Sequence, residues 1–597
     1  MKELQALLPY LRRYRTGILW GLVLVVLANA LTLAGPYFIK QGIDALGTPE
    51  VTPGVILRYA GLIVLTALLG GAARYGMREL LNGISRRVEY DLRNDFFRHL
   101  LRLDAPFYNG MQTGEIMSRA TNDIQAVRMA AGPAYMYLVN TIAVSIFALT
   151  LMVWISPRLT LLALVPMILL PPVTIFFGNV IHTRFERIQE QFGALSTMVQ
   201  ENLAGIRIVQ AYGQERPQTQ HFQSLAEDYL QRNMGLARIS GLFYPVLTLL
   251  AGLGMVIVLW LGGMAIVRGE ITVGEFVAFG LYLGMLTWPM IALGWVVNLF
   301  QRGAASMGRI NRILATRPAV RDPEQPLEPR EIRGELEFRN VSFRYPGSER
   351  EVLQNVSFRV PAGATLAVVG PTGSGKSTLV GLLVRAWDPT EGEVRLDGVP
   401  LRRLRLERLR TAIGIVPQDT FLFSESLAEN LALGFDESDP AAREVRIREA
   451  ARIAQLDRAI EQFPAGYDTL LGERGVNLSG GQKQRATLAR AIARDPRVLI
   501  LDDALSAVDT HTEFEILAGL KEVLEGRTSV IVSHRVSAVM NADLIVVLED
   551  GRLVEQGTHE ELLGQGGVYA MLQRRQLLAE DLDAAEMLAP LPGHAVH

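Results

Sequence analysis

Residues 370–377 read Gly370-Pro371-Thr372-Gly373-Ser374-Gly375-Lys376-Ser377, and Thr378 follows them. An apolar run at 364–369 precedes this segment, and a stretch with helical periodicity, 377–385, comes after it. Glycines at this spacing let backbone N–H groups approach phosphate oxygens, while the lysine can reach the outer phosphates and the serine hydroxyl can bind Mg²⁺. The sequence therefore predicts a strand, a phosphate-binding loop and a helix in an α/β domain that binds a nucleotide.

A second apolar run, 498–501, ends in two aspartates, Asp502 and Asp503. The run has the length and composition of a buried strand, which places both carboxylates at the strand's end. We expect Asp502 to bind Mg²⁺ together with Ser377. Many nucleotide-hydrolysing proteins share these two parts, so they indicate the chemistry but not the class of protein.

The composition divides the chain into two dissimilar halves. At 597 residues the chain is too long for one compact domain, and 49% of its residues are hydrophobic, with a mean hydropathy of +0.21. The long apolar runs all lie before about residue 314. A net charge of −2 gives no nucleic-acid footprint, and the absence of cysteine excludes disulfides and thiolate metal sites.

Six runs in the first half are long and apolar enough to cross a bilayer, which takes about 20 residues each. They are residues 17–38, 57–77, 134–155, 159–181, 242–267 and 276–300. Buried helices of a large soluble protein are the alternative, which six such runs in one half disfavour. The sequence predicts an α-helical transmembrane domain with six spans.

The connections between spans two and three and between spans four and five are long, helical in pattern and rich in arginine. Basic segments favour the cytoplasmic side, so we expect both connections, both termini and the nucleotide domain to lie there. We expect spans two to five to continue as cytoplasmic helices, with short transverse helices near 113–123 and 212–217, where Gly213 and Pro217 supply the breaks. Solvated connections without that order are the alternative.

Polar residues inside the spans are candidates for a substrate path, because they are costly in lipid. They are Asn29, Arg74, Asn140, Asn298 and Gln301, with a position near the membrane interface as the alternative for Arg74 and Gln301. Three bulky residues in span six are candidates for a cavity wall, with lipid contact or helix packing as the alternative. They are Met285, Trp288 and Trp295.

The remaining motifs give the chain a family resemblance. The segment Leu478-Ser479-Gly480-Gly481-Gln482 resembles the signature of ATP-binding cassette (ABC) proteins. Four further residues match family positions in the expected order: Tyr345 for adenine stacking, Gln418 of the Q-loop, Asp509 of the D-loop and the switch histidine, His534. With the six spans, residues 1–576 resemble an ABC exporter half-transporter.

The resemblance implies a site shared between two chains. In the family, ATP is held by the phosphate loop of one cassette and by the signature of another, so at least a dimer is expected. The residues implied in ATP binding are Tyr345 and 370–378, with Ser377, Gln418 and Asp502 at Mg²⁺. The residues implied in catalysis are Asp503, His534 and Gln418.

Asp503 departs from the family pattern, which usually has glutamate after the Mg²⁺-binding aspartate. An aspartate carboxylate lies about 1 Å further from the attacking water, which can cost on the order of 10²-fold in rate. One interpretation is a heterodimer in which this chain has a slow ATP site and lends its intact signature to a different half-transporter. The other is a homodimer with two equivalent sites.

The expected function is ATP-driven export of hydrophobic or amphipathic substrates, namely drugs, lipids or peptides, across the bacterial cytoplasmic membrane. Membrane lipids are expected partners and nucleic acid is not. A nucleotide-gated channel is a second possibility, and a soluble ABC ATPase of DNA repair or translation is disfavoured by the spans.

The expected domain boundaries follow from these segments. Residues 1–16 form an interfacial helix, 17–314 the transmembrane domain, 315–335 a linker and 336–576 the nucleotide-binding domain. Residues 577–597 form a tail, whose acidic part at 579–588 is either disordered or a short helix ended by prolines.

Overall fold

The computed structural model describes residues 2–47, 52–506, 508 and 510–588. The chain divides into two compact units, the first comprising Met1–Arg102 with Met111–Thr316 and the second comprising Leu103–Gly110 with Arg317–His597. A short piece of sequence that precedes the third span therefore belongs to the second unit.

The first unit is helical. After a 3₁₀ turn, Lys2–Leu7, its helices are α1 (Leu8–Arg13), α2 (Arg15–Leu46), α3 (Pro53–Leu100), α5 (Thr113–Ile155), α6 (Pro157–Ala204), α7 (Ile206–Ala211), α8 (Glu215–Val267) and α9 (Val273–Ala315). Within the described residues, six of them (α2, α3, α5, α6, α8 and α9) are long and apolar enough to span a membrane. Each contains one predicted span, so the prediction of six spans with long helical extensions is confirmed.

Both predicted short helices lie earlier in the chain than expected. The first is α4 (Ala105–Gly110), and the segment proposed for it, 113–123, is instead the start of α5. The second is α7, which ends at Ala211, while Pro217 lies in the first turn of α8. Proline is tolerated in a first turn, where its missing N–H is not needed, so Pro217 marks a helix start rather than a break.

The outer ends of α2 and α9, on the side away from the arginine-rich connections, are joined by polar contacts. Lys40 Nζ lies 2.9 Å from Glu275 Oε1, and their side chains are 13% and 22% exposed. Asp44 accepts hydrogen bonds of 2.9 Å from the Gly274 N–H and from the Thr272 hydroxyl. Glu275 in turn completes a capping box with Thr272 at the start of α9. These contacts fix the two helix ends to each other.

The N-terminal segment packs on the protein. Leu7 is buried, and the hydroxyls of Tyr10 and Tyr14 donate to Asp95 and Asp91 of α3 over 3.0 and 3.1 Å. Burial, together with the bond to Asp95, raises the pKa of Tyr10 to about 12. Contact of residues 1–16 with the membrane surface stays a prediction.

The second unit contains two sheets. Its strands are β1 (Leu336–Arg344), β2 (Glu351–Val360), β3 (Thr365–Val369), β4 (Glu391–Leu396), β5 (Val399–Pro400), β6 (Ile413–Val416), β7 (Val498–Asp502), β8 (Thr528–Val532), β9 (Leu544–Glu549) and β10 (Arg552–Gly557). The smaller sheet is antiparallel, with the order β2-β1-β4-β5. The larger has the order β10-β9-β3-β8-β7-β6, and all its pairings except β10 with β9 are parallel.

Helices cover the larger sheet and form a separate group between β6 and β7. They are α10 (Lys376–Leu383), α11 (Leu406–Ala412), α12 (Leu427–Ala432), α13 (Pro440–Ile453), α14 (Asp457–Ile460), α15 (Gly480–Ala493), α16 (Thr510–Leu524), α17 (His559–Gln565) and α18 (Val568–Leu588). Helix α18 runs through the acidic segment assigned to the tail, so the helical alternative holds as far as Leu588. The α/β fold predicted for this half is confirmed.

Candidate functional site

The parallel strands bring the predicted site residues to one edge of the larger sheet. Val532 at the end of β8 is paired with Val368 of β3 on one side and with Asp502 of β7 on the other. The phosphate loop begins two residues after Val368, and His534 follows two residues after Val532. Gln418 similarly follows the end of β6, which pairs with β7. Parallel strands end at the same edge, so segments far apart in sequence meet there.

The phosphate loop depends on glycine for its shape. Gly370 has φ of 152°, and a Cβ there would lie 2.1 Å from the carbonyl oxygen of Leu548. Gly375 has φ of 102° and directly precedes α10. The loop therefore closes against β9 and leads into a helix N-terminus, as the sequence predicts.

Lys376 lies inside the loop. Its side chain is 7% exposed, and Nζ donates to the carbonyl oxygens of Gly370 and Pro371, each at 2.8 Å. Burial lowers the pKa of the Lys376 ammonium, while the carboxylates of Asp503 and Asp502 oppose that shift. The cation is thus held at the place where phosphate oxygens are expected to bind.

Ser377 and Asp502 form the predicted Mg²⁺ pair. The Ser377 hydroxyl donates to Oδ1 of Asp502 over 3.4 Å, and Asp502 is 6% exposed. Burial raises the pKa of the Asp502 carboxyl, and the hydrogen bond from Ser377 opposes that shift. A hydroxyl and a carboxylate are hard oxygen donors of the kind Mg²⁺ prefers. Among the described residues, no cluster of three or more aspartate, glutamate, histidine or cysteine side chains could hold a metal ion.

Tyr345 lies beside the loop in an aromatic cluster. Its hydroxyl is 3.0 Å from the Thr378 hydroxyl, and its ring meets the rings of Trp387 and Phe343 edge-on at 5.1 and 4.9 Å. These contacts fix the ring close to the first turn of α10. Stacking on adenine stays a prediction.

The backbone of Asp503 has an unusual conformation and takes part in two hydrogen bonds. It has φ of 50°, a left-handed conformation that aspartate tolerates better than most residues. Its N–H donates to the carbonyl oxygen of Val532 at 2.9 Å, and its own carbonyl oxygen accepts from the Ser506 hydroxyl at 3.0 Å. These two hydrogen bonds join the backbone at Asp503 to β8 and to Ser506.

The signature segment lies at the start of α15, as predicted. Ser479 is the N-cap, and its hydroxyl accepts from the Gln482 N–H at 3.3 Å. Gln482 Oε1 accepts from the Ser479 N–H at 2.9 Å, which completes a capping box. The N–H groups of Gly480 and Gly481, in the first turn, are then the backbone donors available to an anion.

Arg490 is a residue that the sequence reasoning missed. From α15 it donates to the carbonyl oxygens of Asn430 and Phe421 at 2.8 and 2.9 Å and to Asn430 Oδ1 at 2.9 Å. Asn430 is itself bonded to the backbone of Phe423. Arg490 therefore ties the signature helix to the segment after Gln418. An arginine inside the otherwise apolar run Leu488-Ala489-Arg490-Ala491-Ile492 was the available signal.

Fewer structural details are available for the other three predicted site residues. Gln418 and His534 are both exposed at the sheet edge. Asp509 lies outside the described residues.

The first unit holds a second candidate site, a cavity of about 270 Å³ among α2, α3, α5 and α9. Five of the residues singled out in the sequence line it: Asn29, Arg74, Asn140, Met285 and Trp288. Three others do not, namely Asn298, Gln301 and Trp295. Sequence reasoning missed Arg78, which also lines the cavity and follows Arg74 by one helical turn.

Comparisons with known proteins agree with both halves of this description. Residues 18–290 match the family model described as the ABC transporter transmembrane region, and residues 353–506 match the model described as ABC transporter. The chain is 39% identical to a probable multidrug resistance ABC transporter ATP-binding/permease protein, YheI of Bacillus subtilis, over 95% of this chain and 96% of the relative. It is also 39% identical to the multidrug resistance-like ATP-binding protein MdlA of Escherichia coli, over 96% of this chain and 97% of the relative.

A solved structure resembles the whole fold. The structure of a bacterial Atm1-family ABC exporter with ATP bound superposes with a TM-score of 0.76 at 30% identity, covering 94% of this chain and 99% of that one. The chain therefore belongs to the ABC transporters, as a multi-pass half-transporter of the exporter type whose second unit is a transport ATPase.

Proposed function

We propose that the chain exports hydrophobic or amphipathic molecules from the cytoplasm by alternating access, driven by Mg²⁺-dependent ATP hydrolysis. Two relatives at 39% identity carry multidrug resistance descriptions, which supports this substrate range. The cavity in the first unit combines amides and arginines with methionines and a tryptophan, a lining that suits molecules with both polar and apolar parts.

At the sheet edge, Lys376 and the loop N–H groups would hold the β- and γ-phosphates, while Tyr345 would contact the adenine. Ser377, Asp502 and Gln418 would hold Mg²⁺, which supplies charge neutralisation on the phosphates. The signature of a second chain would complete the site, because an N-capped helix offers its first-turn N–H groups to an anion. His534 and Asp509 would contact the γ-phosphate and the partner.

We further propose that this chain works beside a different half-transporter, with Asp503 making its own ATP site slow. The observation that carries this proposal is the fixed backbone of Asp503, bonded to Val532 at 2.9 Å. A carboxylate one methylene shorter than glutamate then remains about 1 Å short of a water placed for attack. The intact, capped signature would serve the active site of the partner.

A homodimer with two equivalent sites is the competing arrangement. Gln418 and His534 favour it, because both catalytic positions of the family are retained here.

Purification of the full-length chain alone tests the asymmetric arrangement. We expect ATP binding without sustained turnover, and restored turnover when a half-transporter with glutamate after its Mg²⁺-binding aspartate is added. Robust ATPase activity of the chain alone, abolished by Asp503→Asn, would show a homodimer instead. Substrate-stimulated hydrolysis and uphill transport in vesicles separate a pump from a channel.

A further inference from the structure

We propose that the cavity in the first unit selects amphiphiles with an anionic head, such as a phosphate, sulfate or carboxylate on an apolar body. This inference rests on the proposed export function and narrows its substrate class. It follows from the charges that line the cavity and from the partners that those charges have.

The charged side chains that line the cavity are both basic. Arg74 and Arg78 lie one turn apart on α3, and both line the cavity. No aspartate or glutamate is among the described residues of its wall. Arginine stays protonated under all physiological conditions, so the potential in the cavity is positive.

Neither arginine is paired with a carboxylate within the described part of this chain. Across the residues that the structure describes, Arg74 Nη2 donates to the Thr32 hydroxyl at 2.9 Å, and neither Arg74 nor Arg78 is in contact with a carboxylate. Arginines further along the same helix differ in this respect, since three of them each contact a carboxylate within 3.4 Å: Arg86, Arg93 and Arg98. A fork of N–H donors therefore remains for a ligand in the cavity.

Two neutral polar side chains of the wall, Asn29 and Asn140, are bonded to each other. Asn29 is 4% exposed, and its amide donates to Asn140 Oδ1 at 3.0 Å and to the Val25 carbonyl oxygen at 2.9 Å. The remaining wall is largely apolar, with Met77, Met136 and Trp288. The guanidinium groups are thus the charged donors of a wall that is otherwise largely apolar.

Arg74 is a charged residue in a predicted membrane span. It lies within the apolar run 57–77 of the second span, where a charge is costly and is usually paired or functional. Guanidinium groups match phosphate and carboxylate oxygens with two parallel hydrogen bonds. A volume of about 270 Å³ is just below the usual 300–1,000 Å³ of ligand pockets, so it fits a head and the start of a chain.

Equilibrium binding without ATP tests the selectivity. The full-length chain, in the dimer that it forms, is placed in phosphatidylcholine nanodiscs with radiolabelled dodecyl phosphate or dodecyltrimethylammonium, which share one tail. We expect binding of the phosphate to be tighter by about 10- to 100-fold, the worth of a charge-assisted bond. Equal binding, or preference for the cation, would overturn the inference without any variant.

Variants test whether Arg74 and Arg78 cause the preference for the anion. Arg74→Gln with Arg78→Gln should reduce the preference for the anion to within a few-fold, whereas Arg87→Gln, on the same helix but outside the cavity wall, should keep it. A preference that survives the double variant contradicts the assignment. Inorganic phosphate should not compete, since it has no tail, and full competition would also contradict the proposal.

Two further experiments show whether the natural ligand comes from the membrane or from solution, and distinguish failure of the anion selectivity from failure of the export function. Phosphatidic acid in the nanodisc lowers dodecyl phosphate binding if the natural ligand is a membrane lipid, and leaves it unchanged if the ligand is a single-chain amphiphile from solution. In transport assays with the complete dimer, export of dodecyltrimethylammonium but not of dodecyl phosphate would refute the anion selectivity and leave the proposed export function intact. Export of neither refutes the proposed function, while the binding preference is judged separately.

Discussion

The side-chain oxygens of Ser377 and Asp502 lie 3.4 Å apart, although 125 positions separate the two residues in sequence. The contact joins α10, the first helix after the phosphate loop, to the end of β7, an apolar strand that ends at Asp502. It leaves a carboxylate that is buried and has a raised pKa. Such a group costs stability while it is ionised, so function and stability should conflict at this position.

Asp502→Asn should therefore remove ATP hydrolysis and raise thermal stability. The raised pKa means that the folded state binds a proton more readily than the unfolded state, so the wild-type carboxyl destabilises the fold at neutral pH and ceases to do so as the pH falls through that pKa. The stability difference between variant and wild type should be largest at neutral pH and shrink on acidification. Thermal unfolding in Mg²⁺-free buffer measures it, with exposed Asp436→Asn as the control. A variant less stable than wild type at neutral pH would contradict the argument.

Asp503→Glu should increase turnover at this chain's ATP site, on the order of 10- to 100-fold, because the longer side chain brings the carboxylate nearer to the water. The change should cost about 1 kcal/mol or less, since glutamate tolerates the left-handed backbone at 503 less well than aspartate does. Single-turnover hydrolysis and thermal unfolding give the two readings. Asp503→Asn fits the same backbone without a carboxylate and should be inactive. Unchanged turnover with glutamate would show that side-chain length is not the limit.

Much of this sheet edge was predictable because each motif is local. The spacing of glycines, lysine and serine after an apolar run specifies a loop and helix, and a second apolar run places two aspartates at a strand end. The left-handed backbone at Asp503 was not predictable, because it accompanies the hydrogen bond that the Asp503 N–H donates to Val532 of β8. Arg490 was missed for a similar reason, since its partners lie 60 and 69 residues away.

Ser479→Asp should separate capping from nucleotide contact. Aspartate is as good an N-cap as serine, so α15 should keep its stability, whereas Ser479→Ala should lose about 1 kcal/mol with the cap. The added negative charge would face the proposed phosphate and should strongly reduce ATPase activity of the assembled dimer. Thermal unfolding and ATPase rates measure the two effects. Full activity of the aspartate variant would mean that Ser479 serves only as a cap.

Lys40→Met should destabilise the first unit by about 1–3 kcal/mol, because it leaves Glu275 partly buried without its cation. Adding Glu275→Leu should recover part of that loss, and the recovered part measures the coupling of the pair. The unfolding free energies of the wild type and of the variants, measured in nanodiscs, provide the comparison. The pair Arg268 and Glu270 is the control, since both side chains are more than half exposed and 3.9 Å apart, and its removal should change little. Additive effects of the Lys40 and Glu275 changes would show no coupling.

In the first unit, hydropathy alone was sufficient to predict the six spans, because a helix that crosses a bilayer needs a minimum apolar length. The second short helix was misplaced because proline signals both a helix start and a helix break, and only the observed bounds distinguish the two uses for Pro217. The residues around the cavity could be proposed singly from their cost in lipid. Their convergence required the packing of four helices, which no local pattern specifies.

The assignment of Leu103–Gly110 to the second unit makes that unit discontinuous in sequence. Asp104 accepts a 2.8 Å hydrogen bond from the Val320 N–H, and Ala105 packs on an apolar core of the unit. A soluble fragment that starts at Arg317 would therefore be a truncated domain, with an unpaired amide and an uncovered patch. Such a fragment is a poor reference for the ATPase of the whole chain, and supplying residues 103–110 as a peptide should improve its stability.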